Sequence, residues 1–109
     1  MLLELIRRAF QFIRDVISII INGVLNFVKA VVGWFKSLRL NPQKDIPFIA
    51  NKENFKDKLR NAPRKNVGIF EGVYSEETDE ITHIREVEAD ALDNQTKQVL
   101  GNEELVVLQ

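Results

Sequence analysis

The chain has no cysteine and, among 109 residues, only one histidine, one tryptophan, one tyrosine, three prolines and five glycines. Without cysteine there is no disulfide framework, thiolate nucleophile, Cys-ligated zinc or iron–sulfur cluster, and a reducing, intracellular setting is expected. With His83 as the single histidine, a multi-histidine metal site is excluded, and a His-based triad would need Ser75 or Ser37 to be carried to it by folding. No phosphate-binding glycine loop, dinucleotide fingerprint or internal repeat occurs. The carboxylates Glu76, Glu77, Asp79 and Glu80, and then Glu88, Asp90 and Asp93, lack the spacing and the glycine of a calcium loop; they read as solvated groups forming a partner-facing acidic surface. No catalytic residue, metal ligand or cofactor is assigned, and a non-enzymatic role is expected.

The net charge of −1 hides a strong asymmetry. Residues 1–74 hold thirteen Lys/Arg against six Asp/Glu, and residues 75–109 hold two against ten, so the two parts carry +7 and −8. A basic first part is suited to anionic lipid or an acidic protein surface, with the acidic part left in water. The cluster Lys52, Lys56, Lys58, Arg60, Arg64 and Lys65 is interrupted by Glu53 and Asp57 and lacks an aromatic platform beyond Phe55, so nucleic acid is not the expected partner. The N-terminus is a poor signal peptide, because positive charges extend to Arg14 and no small-residue cleavage site follows the apolar stretch.

What the sequence does have is apolar residues in its first third. From residue 2 to 38, Glu4, Arg7/Arg8, Gln11, Arg14/Asp15, Ser18, Asn22, Asn26, Lys29, Gly33 and Lys36/Ser37 recur every three or four positions, a pattern that predicts one amphipathic helix about 55 Å long at 1.5 Å per residue. Asn22-Gly23 is its one serious interruption and is expected to kink it rather than turn it. The longest uncharged run, Val16 to Val28, has thirteen residues, fewer than the roughly 20 needed to cross a bilayer. The expected posture is therefore flat on a membrane surface, with Phe10, Ile13, Ile17, Ile20, Val24, Phe27, Val31, Trp34 and Phe35 as the lipid- or partner-binding face and Arg7, Arg8, Arg14, Lys29, Lys36 and Arg39 as basic contacts.

Asn41-Pro42 ends the helix, and residues 41–50 read as a linker in which Pro47 keeps the chain extended. Residues 51–109 read as a small α+β domain in the order α-β-β-α-β. Its elements are a helix from Lys52 to about Asn61, a β-hairpin over 67–88, a helix capped by Asp93 and ended by Gly101, and a last strand over 104–108. The strand Leu105-Val-Val-Leu108 is apolar on both faces and should be covered on both sides or paired with another chain.

The expected fold class is thus α+β, a long N-terminal helix (residues 1–40) followed by the small domain. The expected function is that of a membrane-associated adaptor or structural subunit, intracellular and peripheral at the cytoplasmic face of a membrane, with the acidic domain displayed to a protein partner. Two alternatives remain open. One is a self-assembling component of a large complex or virion, a homo- or hetero-oligomer whose helices pack together without lipid. The other is a membrane-spanning oligomer with a polar seam of Ser18, Asn22 and Asn26.

Overall fold

A computed structural model describes residues 2–13, 16–51 and 65–108. The elements, in chain order, are α1 (Leu2–Phe10), β1 (Ile17–Leu25), a π-helical stretch (Phe27–Val32) running directly into α2 (Gly33–Ser37), β2 (Asp45–Asn51), β3 (Val67–Ser75), β4 (Glu80–Leu92), α3 (Asn94–Leu100) and β5 (Leu105–Val107). The five strands make one sheet in the order β1-β4-β3-β2-β5. Strands β2, β3 and β4 form an antiparallel meander, β5 joins β2 antiparallel, and β1 joins β4 parallel.

The mixed α/β class is as expected, but the long N-terminal helix is not present: the first helix has nine residues and is followed by a strand. The reason lies in arithmetic. A polar residue every fourth position, as at Ser18, Asn22 and Asn26, satisfies a strand of period two as well as a helix of period 3.6. Ile17, Ile19, Ile20 and Ile21 are β-branched, which tips such a run toward the pleated form. Asn22-Gly23 then marks a β-bulge between Ile21 and Val24, with Gly23 at φ +128°, where a side chain would be strained. Asn26, rather than continuing a stripe, caps the next helix by accepting a hydrogen bond from the Lys29 backbone N–H at 2.9 Å.

Residues 41–50 are likewise not a linker, because most of them belong to β2, an interior strand. Pro47 is tolerated there because its carbonyl accepts from Leu108 N at 2.8 Å. Its missing N–H points to the same side, so only the reciprocal bond to Leu108 at the end of short β5 is forgone, and the ladder with β3 is left intact. The hairpin expected over 67–88 is found as β3 and β4, the latter extended to Leu92. The expected last helix and strand are found as α3 and β5. The helix expected from Lys52 to about Asn61 falls on residues 52–64, outside the described residues.

The sheet is covered on both faces. On one, α1 inserts Ile6 and Phe10 against Phe48, Ala50, Phe70, Tyr74 and Leu105. Phe10 meets Phe70 edge-on at 5.2 Å between ring centroids. On the other face, Phe27, Val31 and Phe35, spaced four apart, pack with Ile49, Ile69, Val73, Val87 and Leu100. The chain thus passes from one face to the other around the β1 edge.

Candidate interaction surface

The residues expected to face lipid or a partner divide into three groups. Phe10, Phe27, Val31 and Phe35 are buried in the protein's own core, so the helical face expected to dock outward is consumed by the sheet. Ile13, Ile20 and Trp34 are half-buried. Ile17 and Val24 remain in solvent, 70% and 57% exposed. Among the described residues the exposed large apolar side chains are Leu3, Leu5, Phe12, Ile17, Ile19, Val24 and Val28, all from the first 28 positions. The domain shields part of its N-terminal third and leaves the rest outside.

Much of that remainder is on β1, which among the described residues is an edge strand hydrogen-bonded to β4 on one side only. Edge strands in soluble proteins are ordinarily short, charged or interrupted by proline, since a free row of N–H and C=O groups templates pairing with another chain. β5, the opposite edge, follows the rule with three residues. β1 has nine residues and no charge, and its bulge leaves Ile17–Ile21 regular. Its inner side is fixed by side chains: Ser18 Oγ donates to Glu86 Oε1 at 3.0 Å, while Ile21 packs on the core.

Among the expected basic contacts, Arg7, Arg8, Lys29, Lys36 and Arg39 are exposed, and Arg7 is ion-paired with Glu104. Arg14 lies outside the described residues. The polar seam is dispersed: Ser18 is in a strand, Asn22 at a bulge and Asn26 at a helix cap. The acidic turn after β3 is partly engaged within the chain, with Lys44 bonded to Glu77 at 2.6 Å and Tyr74 Oη donating to Asp79 at 2.9 Å. His83 is exposed, with Nδ1 3.1 Å from Thr82 Oγ1.

Sequence reading missed the buried charges. Glu71 is completely buried under helix 27–37, and Arg85 Nε donates to its Oε1 at 2.5 Å. The same guanidinium donates to the Ala30 carbonyl at 2.7 Å and lies 4.5 Å from the Trp34 ring centroid. Arg85 thus ties the carboxylate to the helix that covers it. Burial pushes the Glu71 carboxyl up to about 7, outweighing the hydrogen bond and charge of Arg85. Glu86 and Glu88 are buried on the opposite face; Glu88, expected to be solvated, accepts from Lys65 N at 3.2 Å. The available signal was Glu71 itself, a lone charge inside the apolar run Val67–Tyr74.

Among the described residues, no group of three or more His, Asp or Glu side chains could hold a metal ion, and no helix is long and apolar enough to cross a membrane. A comparison with protein-family models finds no match, and neither does one with characterised proteins or with solved structures.

Proposed function

We propose that this protein is a non-enzymatic assembly subunit that pairs with a second copy of itself through the free edge of β1. The observation that carries the reading is a nine-residue, uncharged edge strand with Ile17 70% exposed. A second copy is the occupant argued for because the strand is self-complementary. Antiparallel pairing about a two-fold axis at Ile19 sets Ile17 opposite Ile21 and Ser18 opposite Ile20, with no charge to repel its own image. Two five-stranded sheets then become one of ten.

Sedimentation equilibrium at micromolar concentration tests the reading. The wild-type chain is expected to be a dimer. Ile17→Lys, which alters a side chain already in water, is expected to sediment as a folded monomer. A wild-type chain that stays monomeric to about 100 μM, or an Ile17→Lys variant that still dimerises, overturns the reading.

A second reading is attachment to anionic lipid, favoured by one feature of α1 and the turn after it. Leu5, Arg8 and Phe12 share the exposed side of the helix, and Phe12 is 77% exposed. Flotation with phosphatidylglycerol vesicles, lost on Phe12→Ser, is the result that would support it.

A further inference from the structure

At the β2/β5 side of the sheet, across from the β1 edge, helix 27–37 and the turn after it overhang a pocket of about 500 Å³. It is lined by Phe27, Val32, Phe35, Leu40, Pro47 and Leu108 together with the exposed, charged Lys36 and Arg39. Four residues expected from sequence to meet lipid, Phe27, Phe35, Lys36 and Arg39, are therefore gathered around one cavity. A second pocket of about 320 Å³ shares Leu40, Pro47 and Leu108 with the first and continues past Pro42 and Ile46. The two adjoin as one largely apolar groove, whose cations line the first compartment. The acidic group in the second compartment, Asp45, accepts from the Asn41 backbone N–H at 2.8 Å.

The total volume lies in the range of small-molecule sites, about 300–1,000 Å³. Neither cation has an ion-pair partner among the described residues. Basic side chains near a helix C-terminus ordinarily offset the helix dipole. Here they also border apolar walls, and Arg39 holds φ +53°, a left-handed conformation that glycine usually takes at this position. Arg39 thus presents its cationic side chain from a backbone conformation in which glycine carries less strain.

We propose that this groove binds a free long-chain fatty acid, its acyl chain lying along Phe35, Leu40, Pro47 and Leu108 and its carboxylate between Lys36 and Arg39. The apolar walls exclude a wholly polar anion. Two compartments in series suit a linear chain better than a compact ring, and the paired cations select a carboxylate over a neutral lipid.

The test is calorimetric titration of the full chain with dodecanoate below its micelle concentration. Saturable binding of one molecule per chain is expected, with dodecanol at least tenfold weaker. Lys36→Gln and Arg39→Gly should each weaken dodecanoate at least fivefold. Arg39→Gly removes the cation while easing the backbone, so its thermal midpoint should stay level or rise, which separates a lost contact from a lost fold. The monomeric Ile17→Lys variant should bind dodecanoate as the wild type does, so this site and the β1 edge fail independently. No saturable binding, equal affinity for dodecanol, indifference to both substitutions, or association only with phosphatidylglycerol vesicles would each overturn the proposal.

Discussion

A single carboxylate sets the expected acid–base behaviour of the core. Glu71 Oε1 is held by Arg85, while Oε2 is buried without a hydrogen-bond partner among the described residues. Its folded-state value of about 7 lies above the ordinary 4.5, so between those values the folded chain keeps a proton that the unfolded chain has released. Stability contributed by this group is therefore present in full below about pH 4.5 and is lost as the pH rises to about 7, a difference on the order of 3 kcal/mol. Urea unfolding at pH 5 and pH 7.5 should find the protein more stable at the lower pH. Glu71→Gln, which keeps an oxygen for Arg85 and cannot ionise, should remove most of that difference; an unchanged slope would assign it to other groups. Asp93 works in the opposite direction. Burial acts to raise its carboxyl, but hydrogen bonds from Thr96 Oγ1 and from the Phe27 and Thr96 backbones hold it below the usual range.

At the scale of elements, Gly72 shows how closely the strands are fitted. A Cβ there would stand 2.5 and 2.8 Å from ring atoms of Phe48 on β2 and 2.9 Å from Ile84 on β4, its two cross-strand neighbours. Gly72→Ala should destabilise the fold by about 1–3 kcal/mol, read from the denaturation midpoint. The sequence made the β3–β4 hairpin, the Asp93 cap and the C-terminal strand legible because each carries local chemistry: β-branched runs around a polar turn, an Asp three residues before a threonine, a glycine at a helix end. It misled in residues 17–25 because a four-residue recurrence belongs to both periodicities, and there the parallel partner, β4, lies more than sixty residues away. Pro47 misled similarly, since its place in the sheet depends on its missing N–H facing the end of β5 rather than β3. The candidate surface was legible in part: apolar residues do crowd the first third, but which of them reach water was decided by tertiary packing.

For the whole molecule, layering dictates a gradient of protection. β3 is central, bonded on both sides and buried from Gly68 to Ser75, with α1 below and helix 27–37 above. Native-state hydrogen exchange should find its amides the slowest, and α1 and the outward-facing amides of β1 among the fastest. In the proposed dimer, the outward-facing amides of Ile17–Ile21 should slow as protein concentration rises, while those of β5 should not.

The passage of the N-terminal segment around the β1 edge matters for biosynthesis. A ribosome delivers residues 2–37 ahead of the surfaces they settle on, β2 through β4, which are complete only when Leu92 has emerged. At about 5–20 residues per second, the isoleucine-rich segment waits several seconds for the strands it will lie against. During that interval the newborn polypeptide is a natural client for a holdase chaperone, and nascent chains on the same message are close enough to meet before either has folded.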